Sequence, residues 1–325
     1  MIIDGHNDLV LRTWREQETR HVDLANAAAA DFAGGFFALW VPGAPGAMDE
    51  PVLAPYDLPL EPRLPHAHAT VVAQEQLAAF RSLGLPVATS PADFVSGRVT
   101  AILHMEGAEA LDPMLTDLVD WYRQGLRSLG LVWARPNAFA EGVPFRFPGS
   151  PDTGPGLTSA GLRLVEACND LGILVDLSHL NERGFWDVAG ITTAPLVATH
   201  SNAHALCAST RNLTDRQLDA IGQSGGIVGI NFAVGFLRED GHNIVDTPLG
   251  EIVRHISYIA KRIGIEHVAF GSDFDGALVS DEVGGIQGFP AIVAALAEAG
   301  FDESEIAKIT HENWLRVLGA TWRVG

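Results

Sequence analysis

A histidine and an aspartate stand two residues apart near the start of the chain, in the stretch MIIDGHND. On a β-strand, residues i and i+2 point to the same face, so His6 and Asp8 can present an imidazole nitrogen and a carboxylate oxygen to one point. Such a pair suits a metal ion. Short His-x-Asp matches are frequent, however, and in isolation a turn after an edge strand is the commoner explanation.

Residues of the same chemical type follow four other short apolar runs. They are Glu106 after VTAILHM, His179 at the end of DLSH, His200 at the end of PLVATH, and Asp273 in GSDFDG. Taken singly, each histidine is explained by a hydrogen bond to the backbone, and each carboxylate by capping of a loop or of the next helix. Five strand ends that all carry metal-ligand residues are better explained by a metal site.

This set of residues is too large for one ion. Three histidines and several carboxylates exceed what a tetrahedral zinc with one open position requires. Two metals about 3.5–4 Å apart, bridged by a carboxylate and a hydroxide, would use the set well. Imidazole and carboxylate ligands together favour Zn²⁺, although cobalt or manganese could serve.

Eight apolar, β-rich runs are spread along the chain, and segments with helical periodicity lie between most of them. The runs cover residues 1–4, 34–41, 99–105, 126–133, 173–178, 195–200, 226–232 and 267–272. The clearer helical segments cover residues 66–83, 114–124, 158–171, 214–223, 247–263, 289–299 and 302–318. Near-continuous apolar strands that alternate with helices predict a parallel sheet, and eight such units predict a (β/α)₈ barrel. The competing doubly wound sheet is disfavoured because the first βα turn has no glycine-rich phosphate loop.

No linker divides the sequence, so residues 1–325 are expected to form a single (β/α)₈ barrel catalytic domain. The Pro- and Gly-rich stretches 42–65 and 135–156 read as long loops that follow strands. In a barrel, such loops lie at the C-terminal face, where they wall or cover the active site.

The composition excludes some partners. The chain carries 40 acidic and 21 basic residues, a net charge of −19, which argues against nucleic acid and anionic membrane surfaces. Cys168 and Cys207 form neither a disulfide framework nor a metal motif. The N-terminus shows no charged region followed by an apolar one, and no apolar run reaches the roughly 18 residues of a membrane span. A cytoplasmic location is therefore expected.

The motifs DGHND, MEG, DLSH, THS followed by STRNLTD, and GSDFDG occur in the order and spacing of one family. Together they resemble the membrane (renal-type) dipeptidases, the M19 metallopeptidases, from Ile3 to the HENWLRVL segment. The resemblance implies a (β/α)₈ barrel that holds two Zn²⁺ ions, bridged by Glu106 and a hydroxide. It assigns His6 and Asp8 to one zinc, and His179 and His200 to the other.

Further roles come from the same resemblance. Asp273 matches the general acid/base of the family, and Arg211 of STRNLTD matches the residue that contacts the substrate, at its carboxylate. Trp133 stands where the family often has a histidine near the scissile carbonyl, and a tryptophan cannot carry a positive charge there. Either Arg135 or another residue compensates, or specificity or rate is altered. His104, His204, His242 and His311 match no ligand position and are read as structural.

The predicted function is that of a zinc dipeptidase acting on free dipeptides, with tolerance of a C-terminal D-residue left open. A related metal-dependent amide hydrolase that acts on N-acyl amino acids, β-lactams or cyclic amides is the first alternative. A catalytically silent binding barrel is the second, and Trp133 is its only support. The expected partner is a small dipeptide substrate, and a homodimer is suggested by the family.

Overall fold

Parallel strands build the centre of the molecule in the computed structural model, which describes residues 1–43 and 50–323. The strands are β1 (Ile2–Asn7), β2 (Phe32–Trp40), β3 (Tyr56–Leu58), β4 (Thr100–Glu106), β5 (Leu126–Gly130), β6 (Phe145–Phe147), β7 (Leu174–Asp176), β8 (Val197–Ser201), β9 (Ile227–Ile230) and β10 (Val268–Phe270). All of them except β3 and β6 form one eight-stranded parallel sheet in chain order.

Backbone hydrogen bonds join the first and last strands of this sheet. Asp8 donates its N–H to the carbonyl of Phe274 at 2.8 Å, and Asp273 donates to the carbonyl of His6 at 3.1 Å. Each of the eight apolar runs predicted from the sequence overlaps one barrel strand. The predicted (β/α)₈ barrel is therefore confirmed. Its extent as a single catalytic domain over residues 1–325 stays a prediction.

Helices cover the outside of the barrel. They are α1 (Leu9–Trp14), α2 (His66–Ser82), α3 (Leu118–Arg123), α4 (Ser159–Leu171), α5 (Glu182–Ile191), α6 (Asp215–Gln223), α7 (Val234–Leu237), α8 (Gly250–Ile263), α9 (Phe289–Glu298), α10 (Glu303–Ala307) and α11 (Asn313–Thr321). The sequence analysis misses α1 and α7, which have six and four residues and are too short to show helical periodicity, and it also misses α5, which has ten. In residues 1–43 and 50–323, no helix is long and apolar enough to cross a membrane.

Side chains inside the barrel are arranged in layers, as the alternation of strand side chains requires. The lower layer is apolar and takes one buried residue from most strands, including Ile3, Ile102 and Val197. Along β4 the inward positions change from Ile102 to His104 and then to Glu106, all of them buried. The polar side chains therefore collect towards the C-terminal end of the barrel.

The two long loops predicted as walls are joined by a small antiparallel sheet. In it, β3 pairs with β6, with Tyr56 opposite Phe147 and Leu58 opposite Phe145. Strands of three residues that pair across about ninety positions of the chain have no recognisable sequence pattern, and the sequence analysis does not predict them. Residues 44–49 of the first loop lie outside the described residues.

Candidate active site

Five side chains converge at the C-terminal end of the barrel: His6, Asp8, Glu106, His179 and His200. His6 Nε2 lies 3.3 Å from Asp8 Oδ2 and 3.7 Å from Glu106 Oε2. His179 Nε2 lies 3.1 Å from Glu106 Oε1 and 3.1 Å from His200 Nε2. His200 Nε2 is 3.4 Å from the same oxygen of Glu106. Glu106 therefore turns one carboxylate oxygen towards each half of the cluster.

These separations fit donors that share an ion. Two ligand atoms about 2.0–2.2 Å from one zinc, at a tetrahedral angle, lie roughly 3.3–3.6 Å apart. His6 Nε2, the atom that faces Asp8 and Glu106, is buried without a hydrogen-bond partner among the described residues. Buried polar atoms normally have partners, so donors left in this state point to a ligand. The residues present therefore fit a metal centre.

The electrostatics of the cluster also favour a cation. Burial holds the pKa of His179 and of His200 well below the ordinary value of 6.5, so both rings are neutral and keep a lone pair. Burial also lowers the pKa of His6, but the carboxylates of Glu106 and Asp8 outweigh it and raise that pKa to about 10. A pocket that pulls a proton onto a buried imidazole in this way attracts positive charge.

His200 reaches the centre because β8 bends into the barrel. The register between β8 and β9 shifts between Ala198 and Ser201. The bend pushes the Thr199 carbonyl against β9 and β10, where a Cβ on Gly229 or Gly271 would lie 1.9 Å from its oxygen. Only glycine fits at these two positions, which permit the close approach.

Hydrogen bonds fix the orientation of the His200 ring. Thr199 Oγ1 lies 2.8 Å from His200 Nδ1 and donates its own hydrogen to Asp176 Oδ2 at 2.6 Å. The hydroxyl must then accept from Nδ1–H, which leaves the lone pair on Nε2, facing Glu106. Sequence analysis missed Asp176 and Thr199. The available signal was a polar residue within each apolar run, three residues before His179 and directly before His200.

Backbone strain accompanies the site. His179, Asp273 and Asp275 adopt left-handed conformations with φ of 67°, 63° and 67°. A residue other than glycine pays of order 1 kcal/mol or more for this conformation, which the surrounding structure must hold in place. In these conformations, the His179 ring and the Asp273 carboxylate point into the cluster instead of along the strands.

Asp273 lies beside the cluster, where its carboxylate groups with His6 and His200. Its Oδ2 accepts a hydrogen bond of 2.9 Å from Asn231 Nδ2, at the end of β9. Burial raises the pKa of Asp273 above its ordinary value. The sequence analysis did not find Asn231, although it stands directly after the apolar run GIVGI.

Arg211 is buried behind β8. Its Nη2 donates to the carbonyl of His200 at 3.1 Å, and its Nη1 contacts Ser201 Oγ at 3.4 Å. Its Nε has no partner among the described residues. The guanidinium is only 3% exposed and is not among the residues that line the cavity described next.

A cavity of about 290 Å³ opens over the cluster. Asp8, Glu106, His179 and Asp273 line its floor. Apolar side chains from the two long loops and neighbouring segments line one wall: Trp40, Leu58, Pro59, Leu60, Trp133, Pro144, Phe145 and Phe236. The size and the mixture of apolar wall and polar floor are those of a site for a small molecule.

The sequence matches the family described as membrane dipeptidase (peptidase family M19) over residues 1–324. The chain belongs to this family. A metallo peptidase from Rhodobacter sphaeroides, solved with a phosphinate mimic of the dipeptide L-Ala-D-Ala, is 46% identical, with a TM-score of 0.93 over 99% of each chain. The predicted family, fold and dipeptidase activity are confirmed.

Curated relatives agree with this assignment. A protein from the pqqA 5′ region of Klebsiella pneumoniae, described as uncharacterized, is 49% identical over 253 residues, which cover 77% of this chain and 93% of that protein. The dipeptidase tcpJ of Claviceps purpurea is 31% identical over 228 residues, which cover 69% of this chain and 52% of that protein. A metallopeptidase family implies a metal. The identity and number of the ions remain predictions, as do the roles of the individual residues.

Trp133 of this M19 chain belongs to the aromatic wall. Its ring centre lies 5.1 Å from that of Trp40, 5.5 Å from that of Phe145 and 5.9 Å from that of His179. Trp133 thus covers one side of the metal cluster with an apolar surface. Its assignment as a substrate-binding residue stays a prediction.

Arg135 does not take the place of the histidine that the family often carries. It is completely buried, with Nε 3.0 Å from Glu109 Oε1 and Nη1 2.8 Å from Glu61 Oε2. Its Nη2 donates to the carbonyl of Val41. These bonds hold Arg135 below the wall, and it does not line the cavity. The alternative that Arg135 supplies charge to the reaction therefore finds no support in its contacts.

The remaining histidines singled out in the sequence make structural contacts. His104 Nδ1 lies 2.9 Å from Ser128 Oγ, one layer below Glu106. His204 Nε2 lies 2.7 Å from the Gly149 carbonyl, and His311 Nδ1 lies 3.0 Å from Thr310 Oγ1. His242 Nδ1 accepts the Ala54 N–H at 3.0 Å and so joins two loops of the wall.

Proposed function

We propose that this M19 enzyme hydrolyses the peptide bond of free dipeptides at a binuclear zinc centre. The observation that carries the proposal is the convergence of five imidazole and carboxylate groups at spacings of 3.1–3.7 Å. The relative from Rhodobacter sphaeroides adds support, because it was solved with a phosphinate mimic of the dipeptide L-Ala-D-Ala.

The five residues divide into two sets that share Glu106. His6 and Asp8 would hold one zinc with Glu106 Oε2, and His179 and His200 would hold the other with Glu106 Oε1. Bound zinc polarises a carbonyl and lowers the pKa of water enough to supply hydroxide near neutral pH.

Asp273 would move the proton. Its half-buried carboxylate lines the cavity, and Asn231 donates a hydrogen bond to one oxygen. Burial raises the pKa of Asp273 towards the range in which one group can both accept and donate a proton. Asp273 would take the proton of the attacking water and deliver it to the departing amine.

Arg211 would recognise the C-terminal carboxylate of the dipeptide. Its unpartnered Nε, with the adjacent Nη, would form a fork that matches a carboxylate in two-point contact. Because Arg211 is buried and does not line the cavity, this contact requires the side chains between it and the cavity to move when substrate binds. A longer peptide would place an uncharged amide against this fork, so the arrangement selects dipeptides. Trp133 would line the cavity beside the substrate.

The test is turnover of L-Ala-L-Ala and L-Ala-D-Ala by protein loaded with zinc, beside their N-acetylated forms. We expect cleavage of free dipeptides and a fall in kcat of about 10²- to 10⁴-fold in Asp273→Asn with metal content retained. Cleavage of the acetylated forms alone would favour the alternative amide hydrolase. Full turnover by Asp273→Asn would overturn the proton-transfer role. The cytoplasmic location and the homodimer remain predictions.

A further inference from the structure

Three arginines line the cavity over the metal cluster. Arg12 belongs to α1, and Arg15 and Arg20 follow it within a few residues. The chain has only 21 basic residues against 40 acidic ones, and three of the basic ones lie at this single cavity. Apolar side chains also line the cavity.

Arg15 and Arg20 have no carboxylate partner. Both are exposed, and neither forms an ion pair with a described residue. Arg12 donates to Gln17 Oε1 at 2.9 Å and to the carbonyl of Asp275 at 3.3 Å. The positive charge of Arg15 and Arg20 is therefore available to a molecule in the cavity.

The carboxylates around the cavity are engaged by other groups, and only Asp275, whose partners are all neutral, leaves an uncompensated negative charge beside Arg20. Asp275 accepts hydrogen bonds from the backbone N–H groups of Arg20, His21 and Val22 and from Thr19 Oγ1. Glu61 is paired with Arg135, as described above. The remaining carboxylates at the cavity, Asp8, Glu106 and Asp273, belong to the metal cluster and its neighbour.

The backbone that carries Arg20 is held in place by the catalytic end of the barrel. Residues 19–22 wrap around the Asp275 carboxylate at distances of 2.7–3.2 Å. Asp275 lies two residues after Asp273, and both adopt left-handed conformations. Arg15 directly follows α1, where its N–H bonds to the Leu11 carbonyl. Both charges thus start from hydrogen-bonded backbone, which reduces the entropy lost on binding.

We propose that Arg15 and Arg20 recognise an anionic side chain of the substrate, so that the preferred dipeptides contain an aspartate or glutamate residue. This inference rests on the proposed function and narrows its substrate class. The apolar wall would contact the other residue of the dipeptide. The α-carboxylate is a second source of negative charge, and the experiment below separates it from the side chain.

The experiment compares acids with their isosteric amides on the zinc-loaded enzyme. The pairs are Ala-Glu with Ala-Gln, in L,L and L,D forms, and Glu-Ala with Gln-Ala. We expect kcat/KM for the acid to exceed that for the amide by roughly 5- to 30-fold in at least one pair, from two solvent-exposed charge contacts. We also expect this ratio to fall as the salt concentration rises from about 0.02 M to about 0.5 M, because the added ions screen the charges.

Variants then locate the effect. Arg15→Gln/Arg20→Gln should bring the ratio of acid to amide close to one. Arg123→Gln removes one positive charge from the exposed surface of α3 and should leave the ratio at the wild-type value. If the double variant lowers kcat/KM equally for acid and amide, the arginines bind the α-carboxylate and the proposal is wrong.

The outcomes also separate this inference from the proposed function. Hydrolysis of the dipeptides with equal rates for acid and amide would overturn the inference alone. Absence of hydrolysis of every dipeptide by enzyme with two zinc ions per chain would overturn the proposed function, and the inference with it.

Discussion

Replacing Arg135 with methionine is expected to destabilise the protein strongly while leaving its chemistry largely intact. Arg135 is fully buried and pairs with Glu109, whose side chain is 1% exposed, and with Glu61, whose side chain is 20% exposed. Methionine keeps most of the volume but removes the charge and all the hydrogen bonds. Glu109 is then left as a buried carboxylate without its partner.

The magnitude follows from this burial. Removing one member of a buried ion pair costs about 3–5 kcal/mol of unfolding free energy. Loss of the ion pair with Glu61 costs less unfolding free energy, because solvent reaches the Glu61 side chain. Burial already raises the pKa of Glu109 above its ordinary value, and loss of Arg135 raises it further. When the folded state raises the pKa of a carboxyl, the free energy of unfolding falls as pH rises towards that pKa. The loss of unfolding free energy in the variant, relative to the wild type, should therefore grow from pH 5.5 to pH 8.

The assay is urea unfolding of Arg135→Met at both pH values, with Arg123→Met as an exposed control. Glu109→Gln in the Arg135→Met background should recover a large part of the loss, because the buried charge is gone. The kcat of folded, metal-loaded Arg135→Met should stay within about tenfold of the wild type, since Arg135 does not touch the cavity. A variant that is fully stable but has lost more than 100-fold in kcat would refute this reasoning and assign Arg135 to the reaction.

Three further predictions concern the metal centre and a buried histidine. Chelation should lower Tm, because an ion that binds only the folded state stabilises it by about 4 kcal/mol at a thousand times its Kd. Glu106→Gln should bind fewer than two ions per chain by elemental analysis, and two tightly bound ions would contradict the bridging role. His255 accepts the Ala203 N–H at 3.1 Å and lies 2.9 Å from the Leu237 carbonyl, and burial lowers its pKa to about 4. Its neutral form therefore stabilises the fold above pH 6.5, and about 3 kcal/mol should be lost as pH falls towards 4; His255→Gln should flatten this slope in urea unfolding, and an unchanged slope would count against it.

Much of the site could be predicted from the sequence because its information is local. Each barrel strand is a short apolar run, and the residue that follows the run must lie at the C-terminal end of the barrel once the strands are parallel. His6, Glu106 and His200 could be placed together on that argument alone. In the structure, His6 Nε2 lies 3.7 Å from Glu106 Oε2, and His200 Nε2 lies 3.4 Å from Glu106 Oε1.

The walls of the cavity could not be predicted in this way. β3 and β6 are only three residues long and pair across distant parts of the chain, so neither has a periodic pattern of its own. The partners of Arg135 lie 26 and 74 positions away, and no spacing rule connects them. The sequence analysis left Arg135 open as a source of charge for the reaction, and only its burial between two carboxylates assigns it to the wall.

The sequence by itself determined the barrel and the chemical character of its C-terminal end, because strand periodicity and the type of residue at each strand end are properties of adjacent positions. Only the tertiary structure decided the bend of β8 against Gly229 and Gly271, and the grouping of Arg15 and Arg20 beside the metal cluster. Both depend on close approaches between segments that are distant along the chain. Such approaches are set by packing of the whole barrel, and local sequence does not encode them.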